Sequence, residues 1–95
     1  MQEYQFEIQE FMTGQDWDTF GGWMVHLKYR AEVESTTPLG VTLTVNDYGC
    51  GNGWCAGLVV AEEPEEAVRL VKVEVGKQHP SLEWAPFGFA MPEEF

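Results

Sequence analysis

Basic side chains are scarce in this chain. Five Lys and Arg stand against sixteen Asp and Glu, for a formal net charge of −11 over 95 residues. Residues 1–27 contain Glu3, Glu7, Glu10, Asp16 and Asp18 and no Lys or Arg at all. That shortage argues against direct binding to nucleic acid, whose phosphates need cationic partners, and against anionic membrane surfaces for the same reason. Long apolar runs are also missing: none approaches the ~18 residues of a membrane span. The start, Met1-Gln2-Glu3-Tyr4, is acidic and polar rather than a basic, apolar leader. A cytoplasmic protein is the default expectation.

Catalytic and metal-binding motifs are thin as well. There are two cysteines and two histidines, His26 and His79. A Cys-x-x-Cys redox motif is absent. Ser35 and Ser81 lack the flanking glycines of a nucleophile elbow. The glycine-rich stretch Gly49-Cys50-Gly51-Asn52-Gly53 has neither the dinucleotide spacing nor the Lys of a phosphate loop. No enzyme, cofactor or metal is expected from these residues.

What is present is an ordinary apolar fraction, 44%, with abundant aromatics. This is enough for one domain, residues 1–95, with a single two-layer core. Tyr4, Phe6 and Ile8 alternate with Gln5, Glu7 and Gln9, the period of a strand with one buried face. Phe11 and Met12 extend it past an irregular point. Thr13 to Gly22 reads as a loop, with Trp17 and Phe20 inside it. From Trp23 to Glu34 the alternation is unbroken. Trp23, Val25, Leu27, Tyr29, Ala31 and Val33 point one way, and Met24, His26, Lys28, Arg30, Glu32 and Glu34 the other. Ser35 to Gly40 is a turn.

Asn52-Gly53 is the strongest short signal for a two-residue hairpin turn. Centred there, the register pairs Cys50 with Cys55, Tyr48 with Gly57 and Asn46 with Val59. Val41, Leu43, Val45, Trp54, Ala56, Leu58 and Val60 then form the core face. Thr42, Thr44, Asn46, Tyr48, Cys50, Cys55, Gly57 and Val59 form the wet one. Asp47 is aimed inward near the tip, either as a turn residue or as a buried carboxylate of raised pKa.

Glu62 to Lys77 reads as a helix, with Pro64 at its first position and Glu62, Glu63, Glu65 and Glu66 at the positive end of the dipole. Ala67, Val68, Leu70, Val71 and Val75 share one face; Glu74 falls inside it and Val73 outside. Val71, Val73 and Val75 also alternate like a strand, but the capping signals favour helix. Gly76 is the expected stop. Leu82 and Trp84 begin a last strand that Pro86 confines to an edge, with Phe87, Phe89 and Met91 beyond it. The expected fold is α+β: an antiparallel sheet of four or five strands, mostly a meander, with one helix on one face.

Cys50 and Cys55 admit three readings: free thiols on a wet face, a cross-strand disulfide closing a short loop, or half of a metal site. A small thiol, disulfide or metal-binding protein is therefore the alternative function. The leading expectation is a non-enzymatic acidic protein-binding module, monomer or homodimer, engaging a larger basic protein such as a nucleic-acid-binding complex. Its partner-binding candidates are Glu3, Glu7, Glu10, Asp16, Asp18, Tyr48, Glu62, Glu63, Glu65 and Glu66. One concrete form is a nucleic-acid mimic whose carboxylates fill a phosphate-binding cleft. Small phage and mobile-element inhibitors of defence systems, anti-CRISPR proteins among them, share that size and charge. Solubility alone also accounts for an excess of charge, and a subunit of a larger assembly is a third class. No segment carries a motif specific enough to assign a family.

Overall fold

A computed structural model describes residues 1–45, 55–85 and 93–94 of the chain. Five strands and one helix follow in the order β1 (Gln2–Thr13), β2 (Thr19–Glu32), β3 (Gly40–Val45), β4 (Cys55–Ala61), α1 (Pro64–Gln78) and β5 (Glu93–Glu94). They form one sheet in the order β3-β4-β1-β2-β5. The first four strands are antiparallel, and one helix covers one face, so the expected α+β architecture is present. Two hairpins, β1–β2 and β3–β4, lie side by side and meet where β1 pairs with β4.

β1 holds the centre because its alternation matches both neighbours. Phe6 lies opposite Leu27 on one side and Gly57 on the other, and Ile8 lies opposite Val25 and Cys55. The core gathers Tyr4, Phe6, Ile8, Val25, Leu27, Cys55, Val59 and Ala61 from the sheet and Ala67, Val68, Val71 and Val75 from α1. Each large apolar side chain buried there contributes about 1.5–3 kcal/mol. The β1–β2 register shifts twice, between Glu3 and Tyr4 and between Glu10 and Met12. Each shift places an extra residue in β2. The first, at Arg30, turns Ala31 to the opposite face from the one expected, leaving it exposed opposite Glu3. The second falls at Gly21-Gly22 and lets β2 begin at Thr19, inside the expected loop.

The β3–β4 register corrects the one expected from Asn52-Gly53. Val41 pairs with Val59, Leu43 with Gly57 and Val45 with Cys55. The partner numbers sum to 100 instead of 105, an odd shift, and an odd shift turns every side chain of one strand to the other face. Cys55 and Val59 are therefore fully buried under the helix rather than wet. Leu58 and Val60 sit half-buried on the opposite, uncovered face, although Ala56 is buried there too. Gly57 explains the choice. A Cβ at this position would collide with the Thr42 carbonyl oxygen and stand 3.0 Å from the Phe6 ring. The helix-facing side of β4 is thus the side built from small residues, beneath a large neighbour on β1. The expected positions of Asp47, Tyr48, Cys50, Trp54, Phe87, Phe89 and Met91 lie outside the described residues.

α1 starts at Pro64 as expected and buries Ala67, Val68, Val71 and Val75, while Val73 points outward, 51% exposed. Gly76 does not stop it. The helix continues to Gln78, where the His79 N–H donates to the Val75 carbonyl at 2.8 Å. After it, the chain returns along the outer edge of β2. Trp84 bridges Trp23 in parallel, the Trp23 N–H donating to Glu83 O and the Ala85 N–H to Trp23 O, both at 2.8 Å. β5 pairs in parallel with Lys28 and Tyr29 further along the same edge. Gly22 makes this approach possible. Its φ is +110°, and a Cβ there would lie 2.8 Å from the Ala85 nitrogen. No helix among the described residues is long and apolar enough to cross a membrane.

Candidate partner-binding surface

The sheet is long and narrow, in a molecule measuring 45 × 26 × 24 Å. Twelve residues of β1 alone span about 36 Å at the usual rise. The sequence-predicted acids therefore separate by position. Gln2 pairs with both Glu32 and Ala61, so the start of β1, the end of β2 and the end of β4 meet at one pole. Glu3, Glu62, Glu63, Glu65 and Glu66 lie there. Glu32 joins them, a residue placed by pairing rather than by any local sequence signal. Glu7 lies midway on the open face, accepting a hydrogen bond from Gln9 Nε2 at 2.9 Å. Glu10, Asp16 and Asp18 lie toward the other pole, where Thr13 pairs with Thr19. Tyr48 is outside the described residues.

At the first pole, ion pairing is sparse and superficial. The amino terminus reaches Glu32 at 3.5 Å, Arg30 reaches Glu3 at 3.8 Å and Arg69 reaches Glu66 at 3.6 Å. Surface pairs of this kind contribute about 0–1 kcal/mol and leave most of the field uncancelled. Among the described residues, Glu62, Glu63 and Glu65 carry no ion pair and are exposed. The Tyr4 phenol, which donates to Gln2 Oε1, registers this setting. Its pKa is raised by burial first, then by Tyr29, Glu65 and Glu32.

The second pole is built differently. The β1–β2 turn holds Trp17 at φ +56° with its side chain 71% exposed, and Phe20 is 48% exposed. A bulky residue in the left-handed region is rare and costs roughly 1–2 kcal/mol. Phe20 meets Trp23 edge to face, ring centroids 5.5 Å apart. These two rings, with His79, Ser81, Leu82 and Glu83, line an open cleft of about 360 Å³. Trp17 and Phe20 stand out in the sequence, but the cleft that Phe20 lines does not. Its other wall arrives from the segment after α1 and depends on the Trp23–Trp84 bridge.

Cys55 is a free thiol, fully buried, and its pKa is raised by that burial. This corrects the expected wet position, and Cys50 lies outside the described residues. Among the described residues no three His, Cys, Asp or Glu side chains come together as ligands for a metal ion. Lys72 has its Nζ 5.5 Å from the centroid of the Trp84 ring, and burial lowers its pKa. No protein-family model, curated protein or solved structure matches this chain.

Proposed function

We propose that this protein is a non-enzymatic acidic binding module that engages a larger basic protein. The supporting observation is that none of its charge is used inside. Among the described residues no charged side chain is buried, and the core is built from apolar side chains together with the Tyr4 phenol and the Cys55 thiol. The carboxylates stand on strands and a helix start, on a frame fixed by that core, with a net charge of −11. Such a field draws oppositely charged partners and raises the association rate. The mimic of nucleic acid, an inhibitor filling a basic protein's phosphate-binding cleft in the manner of anti-defence proteins, is the concrete form of this reading. Residues two apart on one strand face are about 6.6–7 Å apart, whereas phosphates advance 3.4 Å per base pair along each strand. Glu3 and Glu7, four residues apart on that face, therefore supply a sparse charge row.

The test is capture from the native host with the full chain, followed by salt and polyanion challenge. The expected partner is basic, is released by salt within a few hundred millimolar, and is displaced by heparin. Retention in molar salt, untouched by heparin, contradicts the electrostatic reading.

A further inference from the structure

The Phe20–Trp23–Glu83 cleft has a chemistry of its own. From its walls we infer that it is a receptor for a single arginine side chain presented by a basic protein partner; the inference rests on the proposed function and names where the partner is gripped. Three observations lead to it.

The first is the combination of walls. Two aromatic rings set edge to face offer electron-rich faces to a cation. Glu83 belongs to the lining, and its exposed side chain carries a carboxylate. A planar guanidinium uses both at once, stacking on a ring and forking onto the carboxylate, which an ammonium does less well. At about 360 Å³ the cleft falls in the range of ligand sites, ~300–1,000 Å³.

The second is charge. Among the described residues the cleft is lined by no Lys or Arg, and the nearby turn adds Asp16 and Asp18. An anionic occupant meets an uncompensated negative field, whereas a cationic one meets a complementary field.

The third is a precedent within the molecule. On the residue after Glu83, the Trp84 ring already holds a cation, the Lys72 ammonium at 5.5 Å. The facing walls are also fixed in advance. Trp23 and the Glu83–Ala85 segment are joined by two backbone hydrogen bonds of 2.8 Å, and Gly22 lets them approach. Little order remains to be imposed on binding.

The experiment is an NMR titration of the full chain with a blocked pentapeptide, Gly-Gly-Arg-Gly-Gly, and with its citrulline counterpart, which keeps the shape and lacks the charge. The arginine peptide is expected to shift the Trp23 indole N–H and the Glu83 amide saturably, with dissociation near ~1 mM. The citrulline peptide is expected to leave both unmoved. Glu83→Gln should weaken the arginine peptide at least about threefold, while Glu34→Gln, at an exposed residue of the β2–β3 connection, should not. Each variant keeps its spectral dispersion, since both sites are exposed. Equal shifts from citrulline, shifts confined to the start of α1, or no saturable shift by ~10 mM each overturn the arginine site. So does a concentration-dependent shift without peptide, which assigns the cleft to a second copy of the chain. If those outcomes accompany salt-sensitive, heparin-sensitive capture in the host, the acidic-module reading stands and only this cleft is lost.

Discussion

The two poles of the sheet carry the same sign of charge on different ground. At the pole of Glu3, Glu32, Glu62, Glu63 and Glu65, carboxylates stand on strand ends and a helix start, and none of the exposed large apolar residues accompanies them except Leu39 in the neighbouring β2–β3 connection. At the pole of Asp16 and Asp18, charge surrounds exposed aromatic rings and a preformed cleft. The difference separates two jobs that acidic surfaces perform. Charge alone acts at a distance, speeds encounter and fades with salt. Rings and a shaped cleft act at contact, set the lifetime of a complex, and supply the anchors typical of binding hot spots.

The largest expected effect tests whether the poles share one frame. Gly57→Val drives a side chain into the Thr42 carbonyl and the Phe6 ring. It should cost about 3 kcal/mol or more, a large part of a small domain's stability. Chemical denaturation checks this, and a variant within 1 kcal/mol of wild type would show that the β4 register is not the one described. Next is Gly22→Ala, which should cost about 1–3 kcal/mol through its positive φ and loosen only the aromatic pole. Hydrogen exchange should speed at Trp23 and Ala85 while the Phe6 and Leu27 amides keep their protection. Uniform loss of protection would mean that the cleft has no independence from the core.

Trp17→Gly should separate stability from binding. Relief of the left-handed conformation should leave the protein as stable or up to about 1 kcal/mol more stable, while dissociation from a partner quickens. A loss beyond 1 kcal/mol would make Trp17 a packing residue. Reversing Glu62, Glu63 and Glu65 to Lys takes the formal charge from −11 to −5, two units for each residue. It should cost about 0.3–1 kcal/mol for each residue at the helix start, and slow association about tenfold at low salt.

The smallest effect is alkaline. The Cys55 and Tyr4 pKa values are both raised above their ordinary 9.0 and 10.0. The folded state therefore holds those protons longer than the unfolded one. Their contribution is intact below pH 9 and is lost as pH climbs past 9 and 10 and through the raised folded-state values. Lys72, lowered from 10.5, opposes the trend, since the unfolded state keeps its proton longer. Cys55→Ala should delay the onset of the fall seen in a pH series of melting curves. An unchanged onset would remove the buried thiol from the account.

The β1–β2 hairpin was legible because its signals agree. Tyr4, Phe6 and Ile8 alternate in phase with Val25 and Leu27, whereas Gly21-Gly22, read from the sequence as the end of a loop, lie at an irregular point inside β2. The helix was legible from Pro64 and its four flanking glutamates, despite the strand-like run Val71-Lys72-Val73-Glu74-Val75. Gly76 misled because a helical glycine costs only about 1 kcal/mol, less than the burial of Val75 supplies. The β3–β4 register was not legible. Both sides of β4 are apolar, with Cys55, Val59 and Ala61 on one and Ala56, Leu58 and Val60 on the other. The choice between them rests on Phe6, 51 residues before Gly57 in sequence, needing the space that Gly57 leaves. The acidic pole was partly legible from Glu62 to Glu66. The cleft was hidden because its walls meet only through the Trp23–Trp84 bridge.

The most direct test of the division of labour between the poles is the association and dissociation kinetics of the captured basic partner across ionic strength. Wild type is compared with the triple Glu62, Glu63 and Glu65 reversal and with Phe20→Ala. The account predicts an association rate that falls about tenfold or more with added salt in wild type, a flatter dependence in the triple variant, and faster dissociation in Phe20→Ala with its salt dependence unchanged. An association rate indifferent to salt, or a dissociation rate indifferent to Phe20, contradicts it.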